Sequence, residues 1–145
     1  MGEPLRQDTP EAGEVPAKRR ILVVDDDSVI ATTLAQVFQA NGFDAIPFTD
    51  PLLALVAART QEPHLLISDI TMPGLSGVAL AIRIKQECAR CQVLLFSGEP
   101  NSIELIQNAR QQGHEFLFLE KPVPPAKLVS LAQKLTEDHC KETGR

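Results

Sequence analysis

The stretch Ile21-Leu22-Val23-Val24-Asp25-Asp26-Asp27 decides how this chain folds: four apolar residues in a row, then three acids. An apolar run without polar alternation marks a strand covered on both faces, as in a parallel sheet. Leu65-Leu66-Ile67, Val93-Leu94-Leu95-Phe96 and Phe116-Leu117-Phe118-Leu119 repeat the signal. The segment from Phe43 to Phe48 is a weaker strand because it carries Asp44 and Pro47. Pro47 has no N–H to give a ladder, which places this strand at a sheet edge.

Helical patterns fill the intervals. Ile30, Leu34, Val37 and Phe38 share one face, and Gly42 supplies a C-terminal stop. Asp50 is a cap with Pro51 at the first helical position, and Pro63 ends that segment. Val78 and Ile82 lie one turn apart in a third helix. Asn101 opens a fourth, with Glu104 three residues on as in a capping box, and Gly113 closes it. Pro124 and Pro125 start a fifth that runs through Leu128, Leu131 and Leu135. Strand and helix thus alternate five times, which predicts an open α/β parallel sheet with helices on both faces and right-handed crossovers.

The 145 residues fit one domain with a real core. Residues 1–18, rich in proline, glycine and charge, read as a flexible N-terminal arm. The folded body spans 19–137, and 138–145 read as a polar tail, with no output domain expected after the fifth helix. Fourteen basic and 19 acidic residues give a net charge of −5, so direct nucleic-acid binding is not expected. The short basic run Lys18-Arg19-Arg20 reads as a solvated lead-in to the first strand. No run approaches the roughly 20 apolar residues of a membrane span, and no signal-peptide core is present. Three cysteines suit a reducing compartment, so a cytoplasmic protein is expected. Cys88 and Cys91 form a C-x-x-C pair, but no second ligand pair exists for zinc, and the pair falls at a helix end rather than a start.

In open parallel sheets the site lies outside the carboxyl ends of the strands, where strand order reverses. Asp25, Asp26 and Asp27 follow the first strand, Asp69 the third, Ser97 the fourth, and Lys121 with Pro122 the fifth. Asp26 and Asp69 are 43 residues apart, which suits two strand–helix units; the next two intervals, 28 and 24, suit one each. Alone, each residue has an ordinary role: a helix cap, a turn, an exposed lysine, a local hydroxyl bond. Four polar residues at four strand ends point instead to one shared site. Asp25, Asp26 and Asp69 with only Lys121 leave that crevice net negative and self-repelling. A hard dication such as Mg²⁺, bound by carboxylates, a carbonyl and water, resolves the conflict and accepts phosphate oxygens.

The blocks I-L-V-V-D-D-D, L-I-S-D-I-T-M-P-G-L-S-G, V-L-L-F-S-G and F-L-E-K-P closely resemble the motif blocks of response-regulator receiver domains. The likeness covers almost all of residues 19–137 in the right order. It implies a flavodoxin-like sheet of strand order 2-1-3-4-5 with five helices. It implies a stand-alone receiver in two-component or phosphorelay signalling, in which Asp69 takes a phosphoryl group from the phosphohistidine of a histidine kinase or histidine phosphotransfer protein. Asp26, Asp69 and the Thr71 carbonyl would hold Mg²⁺, or Mn²⁺ in its place, with Asp25 reaching it through water. Ser97 and Lys121 would contact phosphoryl oxygens. The bond before Pro122 would be cis, and Ser97 with Phe118 would form the switch. Thr71 and Glu99 would flank the hydrolytic water and tune the lifetime of the phosphorylated state. The chain would catalyse only its own phosphorylation and dephosphorylation. Its output would be binding of a downstream protein, or a homodimer, through the face of the fourth helix, fifth strand and fifth helix, with Ile106, Arg110, Phe118 and Lys127 as contacts.

Phe118 departs from the commoner tyrosine and offers no hydroxyl, Ser97 replaces the commoner threonine, and Gly98 is small as this position generally requires. Two alternatives stand beside this reading. A phosphatase of the haloacid-dehalogenase class would use Asp25 and Asp27 as a D-x-D pair, but it gives Asp69 no role. A pseudo-receiver would bind partners without phosphorylation, but it would normally lack some of these acids or the lysine.

Overall fold

The computed structural model describes residues 18–98 and 102–143, of which 138–143 by backbone alone. Glu99, the Asn101 cap and the arm up to residue 17 lie outside the described residues. Strands β1 (Arg20–Val24), β2 (Asp44–Phe48), β3 (Leu65–Asp69), β4 (Gln92–Ser97) and β5 (Leu117–Glu120) alternate with helices. These are α1 (Ser28–Ala40), α2 (Pro51–Thr60), α3 (Gly77–Glu87), α4 (Ser102–Gln111) and α5 (Pro125–Thr143). All strands pair in parallel in the order β2-β1-β3-β4-β5, with the Pro47 strand at one edge. This is the doubly wound α/β sheet, order 2-1-3-4-5, that the residues and the resemblance imply.

The unbroken apolar runs of β1, β3 and β4 are explained by two cores, one on each face of the sheet, whereas β5, expected to be covered twice, is an edge strand with Leu117 41% exposed. Ile21, Val23, Leu65, Ile67, Leu94 and Phe96 point one way, onto Leu34 and Phe38 of α1 and Leu128 and Ala132 of α5. Their neighbours Leu22, Val24, Leu66, Val93 and Leu95 point the other way, onto α2, α3 and α4. Successive side chains of a strand face opposite sides, so a doubly covered strand favours apolar residues at every position, and the one buried hydroxyl within β3, Ser68, is satisfied by the Asp69 carbonyl at 2.8 Å. The helices start where capping chemistry allows. The Asp27 carboxylate accepts from the amides of Val29 and Ile30, Asp50 accepts from Leu52 with Pro51 next, and Ser76 accepts from Ala79. Gly42 and Gly113, with φ of 91° and 95°, take the left-handed conformation just past α1 and α4.

Two local readings change. Helix α5 spans Pro125–Thr143, so helical backbone runs past residue 137 into the segment expected as a polar tail. Ile106, expected on the partner-binding face, is buried in the core with Ala109, while Arg110 and Lys127 are exposed. Helical spacing puts Ser102, Ile106 and Ala109 on one stripe, and that stripe faces the sheet. Cys88 caps the end of α3, and its thiol lies 3.6 Å from the Ala58 carbonyl oxygen. Cys88 and Cys91 are free and buried, and burial pushes both thiols up, Cys91 to about 12. They behave as small core residues rather than as thiolates.

Candidate functional site

Strand register determines which side chains meet. Val24 is paired with Ser68, so Asp25 and Asp69 come level as the two strands end. Asp69 is paired with Phe96, which puts Ser97 one step further out. Ser97 is paired with Glu120, which puts Lys121 a further step out. Neighbouring strands lie roughly 4.8 Å apart, so four chain segments distant in sequence deliver polar groups to one short edge.

Carboxylate oxygens of Asp25, Asp26 and Asp69 all lie within 4.8 Å of one another. Lys121 Nζ is 3.7 Å from Asp25 Oδ2 and 3.7 Å from Asp69 Oδ2, and it stands 4.9 Å from the centroid of the Phe96 ring. The lysine amide is held by the Ser97 carbonyl at 2.9 Å, and the Lys121–Pro122 bond is cis. Asp25 is buried; its Oδ1 accepts from the Asp27 amide at 2.9 Å, while Oδ2 has no hydrogen-bond partner. At 3.7 Å the lysine attracts that oxygen without bonding to it.

The electrostatics follow. Burial pushes the Asp25 carboxyl above its ordinary value, and the charges of Asp69 and Asp26 add to this. The Asp27 amide and Lys121 oppose it without cancelling it. Burial likewise raises Asp69, against the opposing pull of Lys121 and the amides of Ile70 and Thr71. A buried carboxylate oxygen without a partner carries a desolvation penalty. Oxygens of three carboxylates, Asp25, Asp26 and Asp69, gathered within 4.8 Å of one another form the hard-oxygen donor set of a divalent cation, so the residues present fit Mg²⁺.

Ser97 is buried, and its hydroxyl meets that of Ser102 at 2.6 Å. The Ser102 hydroxyl in turn lies 3.5 Å from that of Thr71. Phe118, next to Leu95 across the ladder, is half-buried and packs against the core that contains Ile106. Gly98 faces the Lys121 stem, where an added Cβ would sit at an ordinary 3.7 Å, so contact in this state does not demand glycine. Gly77 is different: a Cβ there would lie 2.1 Å from the Asp69 carbonyl oxygen. Neither Ser102 nor Gly77 was identified as part of the site from sequence. The available signal for Ser102 was its position four residues before Ile106, on the inward stripe of α4.

A family model described as the response regulator receiver domain matches residues 21–133. The chain belongs to the response-regulator receiver family. The receiver is 32% identical over 114 residues to the DNA-binding transcriptional regulator NtrC of Escherichia coli, covering 79% of this chain and 24% of that one. It is 27% identical over 113 residues to the DNA-binding response regulator MtrA of Mycobacterium leprae, covering 78% of this chain and 49% of that one. It therefore spans about half the length of the MtrA relatives it matches. Among solved structures, the receiver domain of the Francisella response regulator 1452 superposes with a TM-score of 0.71 at 26% identity, covering 83% of this chain and 98% of that one. A CheY-like receiver domain protein from Methanospirillum hungatei shares the fold, with a TM-score of 0.79 at 22% identity over 87% of this chain and 99% of that one. The receiver thus belongs to two-component signalling. Family membership does not favour the phosphatase alternative. Among the described residues, no helix is long and apolar enough to cross a membrane.

Proposed function

We propose that this receiver is a phosphorylation switch whose acceptor is Asp69 and whose phosphoryl donor is the phosphohistidine of a histidine kinase or histidine phosphotransfer protein. The supporting observation is the unpartnered, buried Asp25 Oδ2 facing Asp26 and Asp69 with Lys121 alongside. Asp26, Asp69 and the Thr71 carbonyl would hold Mg²⁺ or Mn²⁺, with Asp25 reaching it through water. Bound there, the cation would offset the charge of the transferring phosphoryl group.

In the transfer, an Asp69 carboxylate oxygen attacks phosphorus as the P–N bond to the donor imidazole breaks, and an acyl phosphate results. Lys121 stands where its ammonium can pair with a phosphoryl oxygen, a contact that strengthens as charge develops. Ser97 lies one step beyond the acceptor and can donate to another phosphoryl oxygen. An apolar cleft of about 450 Å³, lined in part by Val29, Ile30, Phe96, Lys121 and Pro122, opens beside the lysine and is suited to an incoming donor protein.

For output, movement of Ser97 toward the phosphoryl group would free space beside β4 for the half-buried Phe118. Full burial of a Phe side chain is worth about 1.5–3 kcal/mol, and only part of that is available here, enough to shift populations rather than lock one state. The surface of α4, β5 and α5, with Arg110, Phe118 and Lys127, would then carry binding of a cytoplasmic target or a second copy. Thr71 and Glu99 would set the lifetime of the phosphorylated form.

Acetyl phosphate with Mg²⁺ should add one phosphate to the intact mass, and Asp69→Ala should abolish the adduct. An adduct that persists in Asp69→Ala overturns the assignment.

A further inference from the structure

We infer that Ser102, the first residue of α4, is a positioning residue that holds the Ser97 hydroxyl in its resting place, so that phosphorylation must overcome this latch. The inference rests on the proposed function and deepens it.

Three hydroxyls form a short chain beneath the acceptor loop: Ser97 to Ser102 at 2.6 Å, and Ser102 to Thr71 at 3.5 Å. The first contact is short even for a hydroxyl pair, and both partners are buried, with 2% and 1% of their surface exposed. Ser102 is not there as a solvated cap. It shares the inward stripe of α4 with Ile106 and Ala109, where an apolar residue would ordinarily sit. Its backbone is tied to the helix, so its hydroxyl is anchored while Ser97, at the end of β4, must serve the phosphoryl group.

Either hydroxyl of this pair can be the donor, and the latch requires that Ser97 give its one proton to Ser102 at rest. If Ser97 turns toward a phosphoryl oxygen on Asp69, its bond to Ser102 must lengthen or draw the first turn of α4 after it. Either outcome opposes the active arrangement by roughly the worth of one buried hydrogen bond. Ser102 therefore sets the threshold of the switch and connects the site directly to α4. Thr71, at the far end of this chain of hydroxyls, belongs to the acceptor loop, so the same serine lies between that loop and the end of β4.

The test compares beryllofluoride binding in Mg²⁺ by the wild-type chain, Ser102→Ala, Ser97→Ala and the double variant, with melting curves confirming that each is folded. Loss of the latch should tighten beryllofluoride binding by Ser102→Ala roughly three- to tenfold. In the Ser97→Ala background the same substitution should have no effect, because the coupling partner is gone. Ser102→Thr, which retains a hydroxyl, should stay within about twofold of wild type. Equal or weaker binding by Ser102→Ala, or tightening that persists without the Ser97 hydroxyl, overturns the latch alone. Failure of the wild-type chain to bind beryllofluoride at all overturns the phosphoacceptor reading as well.

Discussion

Gly77→Ala should damage this protein more than an exchange of one hydrogen for a methyl group suggests. Gly77 is the first residue of α3, and its amide donates to the Ile70 carbonyl at 2.8 Å, closing the loop that carries Asp69. A Cβ added there would meet the Asp69 carbonyl oxygen at 2.1 Å, the Asp69 carbonyl carbon at 2.9 Å and the Ile70 Cα at 3.0 Å. Helix propensity alone favours alanine by up to about 1 kcal/mol. The clash runs the other way and is against backbone, which cannot rotate aside. Relief requires α3 and the end of β3 to separate by about 1 Å, and overpacking of this kind costs about 1–3 kcal/mol. The clash should therefore prevail. With the propensity gain subtracted, a net loss of up to about 2 kcal/mol corresponds to a melting temperature lower by as much as roughly 8 °C. The displaced backbone is that of Asp69 itself, and a misplacement near 1 Å can cost on the order of a hundredfold in rate. Thermal melting and phosphorylation by acetyl phosphate, followed by intact mass, measure both effects. Gly98→Ala, which meets only ordinary contacts at 3.7 and 3.8 Å, serves as the stability control. If Gly77→Ala melts with the wild type and is phosphorylated at the same rate, the close approach of α3 to the acceptor loop has no such role.

Three further outcomes are expected. Asp26→Asn removes one anionic ligand, so the rise in melting temperature produced by Mg²⁺ should shrink while apo stability stays level or increases; an undiminished Mg²⁺ effect argues against the ligand assignment. Asp25 and Asp69 both bind a proton more tightly folded than unfolded, where the ordinary value is 3.8, so in chelator their contribution to stability should be greatest at and below 3.8 and be lost as pH rises through their raised folded values. Glu87, held down by Arg59, acts in the opposite sense but is exposed, so the site is isolated by comparison with Asp25→Asn, in which the acid-side gain should shrink; a pH profile of melting unchanged by that substitution would contradict the site electrostatics. Cys91, raised to about 12, and buried Cys88 should resist iodoacetamide near pH 8 until guanidinium unfolds the chain; peptide mapping that finds either labelled in the native state would show that the thiols open to solvent.

The alternation of strand and helix could be read from the sequence because it is written locally. Ile21–Val24 and Leu65–Ile67 are apolar at every position since each strand is covered twice, and Asp27, Asp50 and Gly42 punctuate the helices through bonds that reach only a few residues. Asp25, Asp69 and Ser97 were legible for the related reason that polar residues gather where such strands end, and Lys121 because it follows the last apolar run. Other features depend on contacts between distant segments. The pairing of Val24 with Ser68 and of Asp69 with Phe96 brings the carboxylates to one place, and their burial, which raises Asp25 and Asp69, exists only once both cores have closed. Ser102 shows the limit most clearly: from sequence it is one more polar residue at a helix start, and only the seating of α4 on the sheet brings its hydroxyl within 2.6 Å of Ser97. Ile106 turned inward for the same reason, since periodicity defines a stripe on a helix but packing decides which way that stripe faces.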